Sequence, residues 1–321
     1  MSWQSTLACW FLRRQFRPRT LDPVIDVEHA RALTAKRVWA PRVPRGWALR
    51  EQYRPGDAPM RGEWLEPTAP SDAARAIPRR TILYLHGGGY YFCSPQSHRS
   101  LVFELARRAS ARTFSLDYRL APEHRFPAAL DDAVAAWRQL LTDGTPAGSI
   151  VIAGDSAGGG LALATLVALR DAGDPMPAGG VLFSPWTDLA ATGDTIRSND
   201  GRDPMFSGPA IARAAQVYLG DTAATHPHAS PLYADLHGLP PLFMQAGDTE
   251  VLLDDTRRVA NRAREAGVHV ECEIWPEMPH VWQIFAPFIP EAGAALDKAA
   301  AFVNRVTSVR AAQPSSETST V

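Results

Sequence analysis

Cysteine is scarce in this sequence. Cys9, Cys93 and Cys272 are odd in number, widely separated and without CxxC spacing, so neither a disulfide framework nor a zinc site is expected. A reducing, cytoplasmic interior suits them. Lysine is scarcer still: of 33 basic residues only Lys36 and Lys298 are lysines. The arginines are spread along the chain and the formal net charge is -1. A nucleic-acid footprint would need a concentrated basic face, so no nucleic-acid partner is expected. No run approaches the roughly 20 apolar residues of a membrane span. The short apolar stretch Leu7 to Leu12 precedes Arg13, Arg14, Arg17 and Arg19, whereas a secretory signal places its basic region first. It reads as an amphipathic helix lying on the protein, with contact to a membrane surface as the less favoured alternative and no stable membrane insertion.

What is present is a composition ordinary for a globular chain, 45% hydrophobic and 21% charged over 321 residues. From about residue 80 onward, short apolar runs alternate with longer helical patterns, the βαβ signature of a mostly parallel sheet. Thr81 to His86, Arg112 to Tyr118, Ser149 to Asp155, Gly180 to Pro185, Pro241 to Gly247 and Val268 to Trp275 read as strands buried on both faces. Ser97 to Ser110, Ala128 to Leu141, Gly158 to Ala172, Leu253 to Ala266 and Pro290 to Thr307 carry apolar residues at helical spacing. Upstream, Trp47 to Tyr53 and Glu63 to Glu66 suit antiparallel edge strands. Two segments break the alternation, 1–45 and 187–224, and the second is too long for an ordinary connection. Both are expected to fold over the carboxyl ends of the strands, where open α/β sheets bind ligands. The core then spans 46–186 and 225–307, and the Ser/Thr-rich 308–321 reads as a disordered tail.

The strongest chemical signal is Gly154-Asp155-Ser156-Ala157-Gly158, set between a strand and a helix. A nucleophilic serine at a strand-to-helix turn sits on a strained backbone, and glycines two residues to either side remove side chains that would clash. His86-Gly87-Gly88-Gly89-Tyr90 follows an earlier strand. Consecutive glycines let amides approach an oxygen that becomes an alkoxide in acyl transfer, so Gly88, Gly89 and Ala157 are assigned as its donors. The segment matches no phosphate-loop pattern. Together these features specify the α/β-hydrolase fold, in which the nucleophile is followed by an acid and then a histidine.

A serine hydroxyl is a poor nucleophile until a base takes its proton. Of the histidines after Ser156, His280 in Met278-Pro279-His280-Val281-Trp282 lies in the loop after the last strand, where a catalytic imidazole belongs. The acid should follow the preceding strand, and Gly247-Asp248-Thr249-Glu250-Val251-Leu252-Leu253-Asp254-Asp255 offers four carboxylates. Asp248 and Glu250 lie nearest the strand end, while Asp254 and Asp255 suit the first turn of a helix. Asp155 suits ordering of the nucleophile turn by hydrogen bonding, and Arg119 with Glu123 suits an ion pair bracing the loop beneath the site. Tyr90, Tyr91, Phe92, Trp186, Met205, Phe206 and Trp282 are candidates for an apolar acyl pocket, against the alternative of plain core.

HGGGY, GDSAGG, DYRLAPEHRFPAAL and MPHVW, scattered from about residue 84 to 285, resemble the bacterial hormone-sensitive-lipase-like esterases. The resemblance implies a serine carboxylesterase acting on esters with short or medium acyl chains through an acyl-enzyme, without metal or organic cofactor. It also implies a two-part helical cap and leaves room for a homodimer. The family places its acid first in a DxLxD pattern, which falls on Glu250-Val251-Leu252-Leu253-Asp254 with glutamate for aspartate, so Glu250 is preferred and Asp248 is the rival. A lactone hydrolase, or an amidase or deacetylase of a small metabolite, would use the same triad. A non-enzymatic binder, as in the hormone receptors that resemble this family, would lack the histidine that this chain retains as His280.

Overall fold

The computed structural model describes residues 1–35, 41–68 and 80–310, with side chains to 308. An eight-stranded sheet runs through it in the order β1-β2-β4-β3-β5-β6-β7-β8. The strands are β1 (Trp47–Gln52), β2 (Gly62–Pro67), β3 (Thr81–Leu85), β4 (Arg112–Leu116), β5 (Ile150–Asp155), β6 (Gly179–Phe183), β7 (Leu242–Gly247) and β8 (Val270–Trp275). From β4 to β8 all neighbours are parallel, while β1–β2 and β2–β4 are antiparallel. The two upstream strands pair as expected, but only β1 is at the edge. β2 is an interior strand, with Glu63 buried against the Arg99 guanidinium at 2.9 Å.

The helices are α1 (Trp3–Gln15), α2 (Val27–Ala35), α3 (Arg99–Ala109), α4 (Ala128–Thr142), α5 (Ser156–Asp171), α6 (Thr195–Ser198), α7 (Gly208–Leu219), α8 (Leu253–Glu265) and α9 (Pro290–Arg310). Because successive strand residues point to opposite faces, β3 divides its side chains between two cores. Leu83 and Leu85 meet α4, α5 and α8 on one face, and Ile82 and Tyr84 meet α3 and α9 on the other. Both sheet faces are therefore covered, which is why the parallel strands read as continuous apolar runs. α9 extends three residues beyond the expected Thr307, so 308–310 belong to the helix and not to a tail. The rest of the expected tail, 311–321, and 36–40 of the amino-terminal segment lie outside the described residues.

The two segments that interrupt the βα alternation meet each other. Arg17 donates to the carbonyls of Asp203 and Phe206 and to the Asp200 carboxylate at 2.7 Å. Ser207 donates its amide to Thr20 Oγ1 at 3.0 Å and its hydroxyl to the Thr20 carbonyl at 2.7 Å.

One expected ion pair is replaced by two others. Arg119 pairs with Asp132 of α4 at 2.7 Å, and Glu123 receives Arg31 of α2 at 2.7 Å. Glu123 is half-exposed, so it turns outward to the amino-terminal helix instead of inward along its own loop. Arg31 also donates to the carbonyls of Tyr91 and Ala121, tying α2 to the loops after β3 and β4.

Candidate active site

Parallel register brings the ends of the chemically interesting strands to one level. Leu85 of β3 faces Gly154 of β5, Asp155 faces Phe183 of β6, and Gly247 of β7 faces Trp275 of β8. The loops leaving these ends therefore converge at the carboxyl edge, where ligands bind in such sheets.

Ser156 opens α5 with φ of 52°, a left-handed conformation that costs a non-glycine residue on the order of 1 kcal/mol. The flanking glycines are required by space: a Cβ on Gly154 would sit 2.2 Å from the Gly158 carbonyl oxygen, and one on Gly158 would sit 2.1 Å from that of Leu85. The tight turn lifts the Ser156 hydroxyl into the half-buried zone above the sheet.

His280 and Ser156, 124 residues apart in sequence, meet with Nε2 2.8 Å from Oγ. The other imidazole nitrogen, Nδ1, is 2.7 Å from Glu250 Oε2. Glu250 is fully buried, and its second oxygen accepts the Ser184 hydroxyl at 2.7 Å and the Gly247 amide. Asp248 turns away, accepting the Glu277 amide at 2.7 Å. The helix-start carboxylates are engaged elsewhere: Asp254 accepts the Thr195 amide, and Asp255 accepts those of Thr187 and Asp188. Burial pushes the Asp255 carboxyl up to about 8, opposed by those two amides.

Opposite the hydroxyl lies the glycine loop. Gly88 has φ of 115°, and a Cβ there would strike the Phe92 carbonyl at 2.1 Å. The amides of Gly88 and Gly89 have no hydrogen-bond acceptor among the described residues, and that of Ala157, in the first turn of α5, has no intrahelical one. Asp155 holds this loop from below: it accepts the Gly87 amide at 3.1 Å, the Tyr84 hydroxyl at 2.6 Å and His98 Nε2 at 3.2 Å. Burial alone would raise its carboxyl. The His98 ring and the Tyr84 hydroxyl outweigh that and hold it below the usual range.

The aromatic candidates separate into two groups. Tyr91, Phe92, Met205 and Phe206 are half-buried, and the Phe206 ring stands edge-on to His280 with centroids 5.1 Å apart. Tyr90, Trp186 and Trp282 are core. Tyr90 stacks on Tyr218 at 3.8 Å. Trp282 packs with α3 and α9 residues and points its indole N–H towards the Glu291 carbonyl, so it is a correction to the pocket expectation: its chain position beside His280 does not put its ring beside the serine.

Three contributors have no sequence signal. Ser184 donates to Glu250 and accepts the Val281 amide at 3.1 Å, bridging acid and histidine loops. Asn199 donates one amide group to the carbonyls of Asp248 and Glu250 at 3.0 and 2.8 Å. Asp203 accepts the amides of Val251, Met205 and Phe206. Both Asn199 and Asp203 lie in the long insertion 187–224, where the sequence pattern singled out only the apolar Met205 and Phe206.

With this geometry in place, comparison with known proteins is decisive. The α/β-hydrolase fold family profile matches residues 82–284. An acetyl-hydrolase of Streptomyces hygroscopicus is 48% identical over 257 residues, 79% of this chain and 84% of the relative. A solved esterase from the bacterial hormone-sensitive lipase (HSL) family superposes with a TM-score of 0.85 at 40% identity, covering 96% of this chain and 99% of that one. The chain belongs to the bacterial HSL family of α/β-hydrolases. A solved EstE5 structure, soaked with p-nitrophenyl butyrate, gives a TM-score of 0.86 at 39% identity over 96% of this chain and 100% of its own. This HSL-family protein is a carboxylic ester hydrolase that acts through a serine. Among its described residues no helix is long and apolar enough to cross a membrane.

The electrostatics of His280 give the HSL-family enzyme a testable pH dependence. Burial disfavours the imidazolium, but the charge and hydrogen bond of Glu250, helped by Asp203 and Asp155, outweigh it and raise the ring's pKa. A base must be neutral to take a proton, so the acid limb of kcat/KM should lie above the ordinary imidazole value of about 6.5. In Glu250→Gln the raising charge is gone and burial remains, so the limb should move to lower pH while the rate falls; a limb that stays put in pH–rate profiles would contradict the coupling. Asn199→Ala should free two carbonyls of the acid turn and lower kcat roughly tenfold with little change in KM. Steady-state kinetics with a soluble ester distinguish that from a loss of binding.

Proposed function

We propose that the enzyme hydrolyses esters of short to medium acyl chains through an acyl-enzyme on Ser156, with His280 as general base and acid and Glu250 as the triad acid. The observation that carries this reading is the continuous line from Glu250 through His280 to Ser156, each link below 3 Å, facing the amides of Gly88, Gly89 and Ala157.

In the first half, Ser156 Oγ attacks the ester carbonyl carbon as its proton passes to His280 Nε2. The C=O electron pair moves to oxygen, and the resulting alkoxide is met by the three amides. Collapse expels the alcohol, which takes the proton from His280. Water then attacks the acyl carbon with His280 again as base, and the carboxylic acid leaves as Ser156 recovers its hydrogen. Glu250 accepts the hydrogen bond of the Nδ1–H throughout, fixing the tautomer and stabilising the imidazolium without taking the proton. Losing one amide donor typically costs about 3 kcal/mol of transition-state stabilisation.

The acyl preference draws support from two sources. The Streptomyces relative is named an acetyl-hydrolase, and the EstE5 crystal was soaked with a butyrate ester. Phe206, pressed against His280, narrows the space beside the reacting carbon, with Tyr91, Phe92 and Met205 as the remaining acyl-facing candidates. In this reading the described part of residues 1–45 and residues 187–224 form the cap over the site, and the three free cysteines suit the cytoplasm.

A rate series on p-nitrophenyl esters should peak between two and six acyl carbons and fall by at least tenfold at twelve, with matched lactones and anilides slower than the best ester. A maximum at long chains, or faster lactone or amide turnover, would replace the substrate assignment while leaving the serine chemistry intact.

A further inference from the structure

Helix α1 is mounted with its apolar stripe facing outward. It meets the body through Ser5, Ala8 and Leu12, at spacings of three and four. The bulkier stripe, Trp3, Leu7, Trp10 and Phe11, is 68%, 45%, 53% and 53% exposed. Phe288, ahead of α9, extends this surface by an edge-on contact with Trp3 at 6.2 Å. An amphipathic helix held only by its hydrophobic effect would bury the larger residues. Here specific polar contacts hold the other face down: the Ser2 hydroxyl donates to Glu291 at 2.7 Å, and Arg13 donates to the carbonyls of Gly201 and Arg202 at 2.9 and 2.6 Å. The exposed aromatics are therefore carried on a preformed, anchored helix.

The charge carried by the segment itself is one-signed, the nearest acids being Glu291, Asp200, Asp203 and Glu277 of other elements. Residues 1–21 hold Arg13, Arg14, Arg17 and Arg19 and no acidic residue, in a chain of net charge -1. Arg17 is paired with Asp200. Arg13, Arg14 and Arg19 are exposed and have no carboxylate partner among the described residues, and Arg14 lies over the Trp10 ring at 5.1 Å. A second copy is a poor occupant, because a two-fold contact would set these arginines against their own images with no acid on the helix to receive them. A surface that accepts indole and phenyl rings at its boundary and presents phosphates to arginine meets both requirements.

We propose that α1 is a docking face for an anionic phospholipid surface, on which the enzyme sits peripherally with its amino-terminal helix in the headgroup layer. The carboxyl end of the helix lies close to the reaction centre. Phe16, the residue after α1, packs edge-on against Phe206 at 5.7 Å, and Phe206 packs edge-on against His280. Docking would thus hold the enzyme where apolar esters concentrate.

The test is flotation of the full-length protein with vesicles of phosphatidylcholine alone and of equimolar phosphatidylcholine and phosphatidylglycerol, with hydrolysis of a water-soluble acetate ester followed in parallel. Wild type should float with the phosphatidylglycerol vesicles, on the order of tenfold more than with phosphatidylcholine. Trp10→Ser/Phe11→Ser should abolish flotation, and Arg14→Glu should remove most of the preference for the anionic lipid. Both should retain wild-type hydrolysis of the soluble ester, which reports an intact fold independently of docking. Absence of flotation in wild type, flotation of Trp10→Ser/Phe11→Ser at the wild-type level, or an undiminished anionic preference in Arg14→Glu would overturn the proposal. So would a solution dimer that Trp10→Ser/Phe11→Ser splits without vesicle binding, which would assign the face to a second copy.

Discussion

The carboxylate of Glu250 ties together three loops that are distant in sequence. One oxygen accepts Ser184 after β6 and Gly247 at the end of β7, and the other accepts His280 after β8. With no solvent exposure, this group is tolerable because both of its oxygens have hydrogen-bond partners. The same bonds fix where the imidazole stands, so the geometry at Ser156 is a consequence of how one buried charge is satisfied. An unpaired carboxylate there would be costly, which makes the loops rigid in the arrangement the reaction needs.

Asp155 plays the matching part on the other side of the nucleophile. It fastens the glycine loop through the Gly87 amide and is itself steadied by Tyr84 and His98. The two carboxylates flank the serine, one bonded to the His280 imidazole and the other to the amide that begins the glycine loop. The insertion adds a third support from above, since Asn199 and Asp203 grip the backbone of the acid turn while Arg17 grips the segment that carries them. The amino-terminal segment, the insertion and the turn that carries Glu250 are thereby linked through the same few residues.

Much of this was legible in the sequence because periodic burial writes itself into composition. The parallel strands are apolar on both faces, and each was located to within two or three residues. Ser156 and the glycine loop were legible because steric demands at Gly154, Gly158 and Gly88 leave no other residue type. What was hidden depends on direction. Arg119 and Glu123 are four residues apart, yet each finds a partner on a different helix. Trp282 adjoins His280 by two residues, yet its ring fills the opposite core. Asn199 and Asp203 act through backbone groups of a distant turn, and such contacts leave no spacing to detect. The exposed stripe of α1 was also obscured, since an apolar run alone does not say which side a helix turns inward.

Serine, imidazole and carboxylate converge from three loops, and the reactivity of one hydroxyl measures that convergence most directly. A fluorophosphonate probe followed by peptide mapping should give one adduct per chain, on Ser156, and His280→Ala should slow its formation by roughly a thousandfold or more. An adduct on another residue, or labelling of His280→Ala at the wild-type rate, would contradict the account.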